Sequence, residues 1–251
     1  MRISRLFVPE MLAKGKKIEL DQERAHYLRT VLRLKKEAAI ILFNGQGGEY
    51  AGTVSEVNRK TVVIVIHQWS DRSVESPLRI HLGLSIARGD RMDFSVQKAV
   101  ELGVSAITPL QSERCHAPGN QDRKPLRWLH WQKIIHHAAE QCGRTLMPEL
   151  AEIEPLADWL PHQQGLKLLL DPFAATVMAD LQPINNGVTL LIGPEGGFAD
   201  HERQLAKAAG FVPVQLGPRI LRTETATITA VSAVQLLWGD FCPKATNPCA
   251  P

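Results

Sequence analysis

The chain has 251 residues, of which 44% are hydrophobic and 22% charged, an ordinary composition for a soluble globular protein with a real core. No apolar run approaches the length of a bilayer span, and the mixed start Met1-Arg2-Ile3-Ser4-Arg5-Leu6-Phe7 lacks a signal-peptide core. Membrane-spanning and secreted classes are set aside on these grounds, and a cytoplasmic protein is expected.

The net charge of +3 is uneven. Residues 1–75 hold 13 Lys and Arg against 9 Asp and Glu, whereas residues 76–251 hold 16 against 17. The excess lies in residues 1–36, with 10 basic and 4 acidic side chains. A basic module beside a near-neutral one suits a first part that touches a polyanion and a second that handles something else. A solvated basic face without a partner gives the same numbers. Cys115, Cys142, Cys242 and Cys249 show no paired spacing and read as reduced thiols.

In chain order, Ile3–Val8 reads as an opening strand. Asp21 is placed to cap a helix over Gln22–Leu32, where Ala25, Leu28, Val31 and Leu32 recur at helical spacing. Strands follow over Ala39–Phe43, Glu49–Val57 and Thr61–Gln68, with turns at Asn44–Gly48 and Asn58–Lys60. Short strands at this spacing predict a small barrel. The polar run Ser70–Pro77 is the best linker, which puts a boundary near residue 75.

Beyond it strand and helix alternate. Leu78–Ala87 is a strand and Asp90 is placed to cap a helix through Glu101. Ala106–Pro109 is a short strand and Trp128–Cys142 is helical, with Trp128 and Trp131 on one core face. Leu166–Leu170 is a dense apolar strand, followed by a weak helix at Ala174–Leu181. Val188–Ile192 is a buried strand and Asp200 is placed to cap a helix through Ala209. Phe211–Leu216 is the last strand, and Thr223 opens a helix to Trp238. This order predicts an α/β domain with a mostly parallel sheet. The proline-containing tail 242–251 is expected to be disordered.

Two stretches carry the chemistry. In Leu190–Phe198 a buried strand ends in Gly193-Pro194-Glu195-Gly196-Gly197, and ligands of open α/β sheets sit at such strand ends. The pattern is neither a dinucleotide fingerprint nor a P-loop, and a tight turn remains the plain alternative. Leu216–Ala226 also follows a strand and precedes a helix, with Arg219, Arg222, Glu224 and several hydroxyls. Its plain alternative is a helix start with Thr223 as N-cap and Glu224 in the first turn. Lys98–Val104 and Glu140–Arg144 are glycine-ended helices whose polar residues suit a cleft, although each taken alone reads more readily as a plain helix terminus. His130, His136, His137, Cys115, Cys142 and Glu140 lack the spacing of a zinc site, so no metal is expected.

Lys98–Val104, Glu140–Arg144, Ile192–Phe198 and Leu216–Ala226, in this order and spacing, resemble the SPOUT class of S-adenosylmethionine-dependent RNA methyltransferases. More narrowly, the chain is similar from Arg2 to Asp240 to the ribosomal RNA small subunit methyltransferase E family, which makes N3-methyluridine in 16S rRNA. The resemblance implies a PUA-like RNA-binding β-barrel over residues 1–75 and a SPOUT-type trefoil-knotted domain over 76–241. It implies S-adenosylmethionine contacts at Leu170, Ile192, Gly193, Gly196, Leu216, Gly217, Ile220, Leu221 and Ala226. It also implies a homodimer acting on 16S rRNA, with the small ribosomal subunit as its setting.

Arg2, Arg5, Arg29, Arg33, Lys35 and Lys36 are the candidates for phosphate contacts. Ile228, Val231, Val234, Gln235 and Trp238 serve either a dimer interface or the core of the chain. For N3 methylation, Arg222 is the first candidate, to stabilise charge on the uracil oxygens, and Glu224 the second, as a base. Glu195 is a third, for ribose hydroxyls or for the loop itself. The rival readings are a phosphate-holding nucleotide transferase, disfavoured by Glu195 in the glycine loop, and a non-catalytic RNA-binding module.

Overall fold

In a computed structural model, which describes residues 3–115, 124–183 and 187–241, the chain divides into two units. The first takes the chain up to Glu75 together with Ala139–Met147. The second takes Ser76–Ala138 and the chain from Pro148 onward. Arg2 and the tail from Cys242 lie outside the described residues.

The first unit is built on five strands: β1 (Ser4–Phe7), β2 (Lys17–Leu20), β3 (Ala39–Phe43), β4 (Glu49–Val57) and β5 (Val62–Ser70), in the order β1-β3-β4-β5-β2. β1 runs parallel to β3, and the other pairs are antiparallel. Alternate residues point inward, as the two-residue period of a strand requires, so that Ile18, Leu20, Ile40, Leu42, Val62, Ile64 and Ile66 share one core. Helix α1 (Gln22–Thr30) adds Ala25 and Leu28 to it. The Asp21 carboxylate accepts the Arg24 N–H at 2.8 Å, the N-cap expected from sequence. Two register shifts in β4, at Ala51/Gly52 and Val54/Glu56, are bulges of the kind that bend a sheet around its core. The strand missed by periodicity is β2, whose four residues hold only two apolar side chains.

The returning segment Ala139–Met147 is bound in by backbone and charge. Gly47 N–H donates to the Thr145 carbonyl and Met147 N–H to that of Gly45, both at 3.1 Å. The Phe7 N–H donates to Glu140 Oε1 at 2.9 Å. The Arg144 guanidinium, 6% exposed, pairs with Glu75 at 2.6 Å.

The second unit carries β6 (Arg79–Ser85), α2 (Asp90–Glu101), β7 (Ala106–Gln111) and α3 (Lys124–Cys142), whose last turn belongs to the first unit. Two-residue strands β8 (Glu149–Leu150) and β9 (Glu154–Pro155) and helix α4 (Leu156–Trp159) follow. Then come β10 (Leu166–Leu170), β11 (Gly187–Ile192), α5 (Asp200–Ala208), β12 (Val212–Val214) and α6 (Thr223–Trp238). The sheet order is β12-β10-β11-β6-β7-β8, with β9 also beside β7, and every described pairing is parallel. Its central strands are buried nearly throughout, with Ile80, Leu82, Leu84, Leu190 and Leu191 at 0% exposure, as a sheet covered on both faces demands.

Two helix starts, those at Asp90 and Asp200, differ from expectation, while α6 opens at Thr223 as expected. The N-caps are Gly89, Ala199 and Arg222, and Asp90, Asp200 and Thr223 are the first helical residues. The two acids therefore act through the positive end of the helix dipole and not as caps. The expected helix over Ala174–Leu181 is a single 3₁₀ turn at Met178–Asp180. Trp131 is buried, while Trp128 is half-buried and donates its indole N–H to the Leu150 and Ala151 carbonyls at 3.2 Å each. Of the packing candidates on α6, Val231, Val234 and Gln235 belong to the core of the chain. The Gln235 amide is satisfied there, donating to Leu102 O and accepting from Ser76 Oγ, both at 2.8 Å.

Candidate functional site: a cavity at the carboxyl ends of three strands

β12, β10 and β11 are neighbours, all parallel, so their carboxyl ends lie side by side. Three loops leave there. Asp171-Pro172-Phe173 follows β10, Gly193–Ala199 joins β11 to α5, and Gln215–Arg222 joins β12 to α6. Between them lies a cavity of about 590 Å³. All nine residues expected at a cofactor line it: Leu170, Ile192, Gly193, Gly196, Leu216, Gly217, Ile220, Leu221 and Ala226.

Local geometry favours glycine at two of the loop positions. Gly217 has φ +85°, a conformation that side chains disfavour. A Cβ on Gly193 would sit 3.2 Å from the Phe198 ring, which folds back under the loop. The Gly197 N–H donates to Pro194 O at 2.9 Å and closes the turn. At the far end the buried Glu202 carboxylate accepts the Ala199 N–H at 2.9 Å and the Glu113 N–H at 2.8 Å. One side chain thus fixes the loop after β11 against the loop after β7. The Thr223 hydroxyl donates to Gly193 O at 3.2 Å and joins the start of α6 to the same loop.

The charged candidates separate. Arg222 is exposed, stands at the N-cap of α6 and lines the cavity. Glu224 is half-buried and is not among the lining residues, and its Oε2 is buried without a hydrogen-bond partner among the described residues. Glu195 lines the cavity, but its Oε1 accepts the Arg88 N–H at 3.2 Å and Arg91 Nη1 at 3.0 Å. Of the two roles expected for Glu195, its contacts match the one that serves the loop. Burial pushes the Glu195 carboxyl up, yet its own backbone N–H, that of Arg88 and the Arg91 guanidinium outweigh this and hold it below the usual carboxylate range.

Sequence reading missed Arg91, Arg114, Phe173 and Arg203, which also line the cavity, beside Arg219 of the Leu216–Ala226 stretch. Arg91 comes from the first turn of α2 and Arg114 from the loop after β7, outside any recognised motif. The usable cue was topological, since the loops after every strand of a parallel sheet leave on the same side.

The phosphate candidates on the first unit fare unequally. Arg33, Lys35 and Lys36 are exposed, and Arg29 is half-buried with Nη1 donating to the Asn58 and Arg59 carbonyls. Arg5 is among the least accessible of them. Its side chain is 10% exposed, ion-paired to Glu49 and placed over the Phe43 ring, so its charge is engaged inside the unit. Among the described residues no group of three or more His, Cys, Asp or Glu is placed to hold a metal ion.

Residues 74–235 match the RNA methyltransferase domain family and residues 20–66 the RNA methyltransferase PUA domain family. The ribosomal RNA small subunit methyltransferase E of Buchnera aphidicola (subsp. Schizaphis graminum) is 39% identical over 96% of this chain and 98% of its own. This chain belongs to the ribosomal RNA small subunit methyltransferase E family. Its family membership is matched in three dimensions. A Neisseria gonorrhoeae member of the methyltransferase E family, solved bound to S-adenosyl methionine, superposes with TM-score 0.90 at 37% identity, covering 96% of this chain and 100% of that one. A Legionella pneumophila methyltransferase solved with bound SAM gives 0.92 at 40% identity, with the same coverage. The parallel α/β domain and the curled five-stranded sheet are therefore the family's RNA methyltransferase and PUA folds.

Proposed function

We propose that this protein transfers the methyl group of S-adenosylmethionine to N3 of a uridine in the 16S RNA of the small ribosomal subunit, in the cytoplasm and as a homodimer. The observation that carries the reading is that the nine residues implied by the family resemblance all line one cavity at adjacent strand ends. Its volume falls in the range of about 300–1,000 Å³ that small-molecule sites occupy. The residues fit the cofactor. Leu170, Ile192, Leu216, Ile220, Leu221 and Ala226 give apolar surface for a flat base, and Gly193, Gly196 and Gly217 let backbone groups come close. The SPOUT-type knot belongs to the same reading. It is supported by β11 entering between β6 and β10, both earlier in the chain.

S-adenosylmethionine, when bound, supplies an electrophilic methyl group. The chain's own task is to position the uracil and manage the charge that develops as the N3 proton leaves. Arg222 is typed and placed for that, because its guanidinium is a fixed fork of donors at the cavity wall with no partner among the described residues to compete for it. Glu224 is the second candidate, as a base. Arg29, Arg33, Lys35 and Lys36 on the basic first unit supply phosphate contacts that set register without reading sequence. The exposed Leu236 and Leu237 on α6 support the dimer.

Two measurements test the proposal. Calorimetry should register S-adenosylmethionine binding to the isolated protein. Mass mapping of small-subunit RNA from a strain lacking the protein should show one uridine methyl group lost and restored by complementation. Binding of RNA without the cofactor would support the non-catalytic module instead.

A further inference from the structure

A second cavity, of about 700 Å³, opens beside the first and shares Arg91, Arg114, Glu195 and Gly196 with it. Its own walls add Arg88 and Asp90. Arg88 and Arg91 enter from the junction of β6 and α2, and Arg114 from the loop after β7. Opposite them stands the Glu195-Gly196 loop.

Charge is what makes this chamber informative. The walls of the two cavities together carry Arg88, Arg91, Arg114, Arg203, Arg219 and Arg222 against Asp90, Asp171 and Glu195. A sulfonium cofactor has one carboxylate but is cationic overall, so it does not account for an excess of arginine. A second, anionic ligand does. The arginines also keep donors in reserve. The Arg88 guanidinium has no hydrogen bond or ion pair among the described residues, and Arg114 spends only Nη1, on the Gly196 carbonyl at 3.2 Å. Arg91 is held by Glu195 at 3.0 Å. Asp90 and Glu195 keep the chamber's own surplus small, which suits one phosphate of a longer polyanion better than a tightly held free ion.

We propose that this second cavity seats a backbone phosphate of the RNA next to the reacting nucleotide, held by Arg88, Arg91 and Arg114. Glu195 is a positioning residue in this scheme. It aims Arg91 and holds the Arg88 backbone while forming part of the cofactor loop, so the RNA chamber and the cofactor chamber share one wall. The inference rests on the RNA methyltransferase reading above and moves part of the phosphate recognition from the first unit to the second.

The test uses the full-length protein and small ribosomal subunits from a strain lacking it. Arg88 is the decisive position because it is exposed and does not line the cofactor cavity. Arg88→Ala should raise the KM for subunits about tenfold and flatten the slope of log affinity against log salt by about 1. Its S-adenosylmethionine affinity should match wild type, which also certifies the fold. Arg88→Lys, which keeps the charge, should recover the slope. Arg114→Ala should act in the same direction. Wild-type KM and salt slope in both alanine variants would overturn the inference while leaving the methyltransferase reading intact. Failure of the wild-type protein to bind the cofactor or methylate the subunits would overturn both.

Discussion

Arg222 sits where a backbone cap begins α6, so its side chain is free to face the cavity instead of serving the helix. Arg222→Ala should lower kcat by about 10²–10³-fold, the usual loss of one charge-stabilising donor, with S-adenosylmethionine affinity near wild type. Near-normal single-turnover rates would remove it from the chemistry. A second residue-scale prediction concerns His81. Its half-buried ring sits edge-on against Trp159, 5.4 Å between centroids, with Nε2 2.8 Å from Thr108 Oγ1. Burial lowers its pKa from 6.5, outweighing the opposing pull of Glu149 and of Gln163. The unfolded chain therefore binds a proton that the folded chain refuses. Stability is full above about pH 6.5 and declines as pH falls through the window below it. Thermal melts from pH 7.5 to 5 should show this slope, and His81→Gln should flatten it. Eight of the nine cavity residues were legible because they belong to two contiguous motifs, Ile192–Phe198 and Leu216–Ala226, whereas Leu170 at the end of β10 came only with the family resemblance. Arg91 and Arg114 stayed hidden because only the tertiary sheet brings them to the same wall.

Among the elements, the strands and helices flanking the site were readable from long apolar runs and helical periodicity. β2, β8 and β9 were not, since two to four residues are too few to establish a period. The starts of α2 and α5 were misjudged by one residue because an acid in the first turn and an acid at the cap look alike in sequence. The clamp made by Glu202 from the first turn of α5 was invisible, since its two partners, Ala199 and Glu113, are unremarkable in sequence and only Ala199 is nearby. Glu202→Ala should destabilise the protein by about 3 kcal/mol, because it strands two N–H donors that a charged acceptor now satisfies. Cofactor affinity should fall with it. Urea unfolding beside calorimetry measures both, and an unchanged unfolding midpoint would deny the clamp its role.

For the whole molecule, the sequence marked a boundary near residue 75 but carried no sign that Ala139–Met147 returns to the first unit. That return is encoded in pairings of high sequence separation, such as Glu75 with Arg144 and Phe7 with Glu140. Residues 1–75 expressed alone should therefore lack a cooperative thermal transition, or melt well below the full chain by circular dichroism. A sharp transition at the full chain's temperature would show the segment to be dispensable. The same interleaving sets a timetable at synthesis. When Glu75 leaves the ribosome the first unit still lacks its closing stretch, and Met147 follows only after a further 72 residues. At about 5–20 residues per second that interval is roughly 4–14 s. Throughout it Phe7, Gly45 and Glu75 wait for partners not yet made. The basic unit must therefore finish folding late in its own birth, although most of it is translated first.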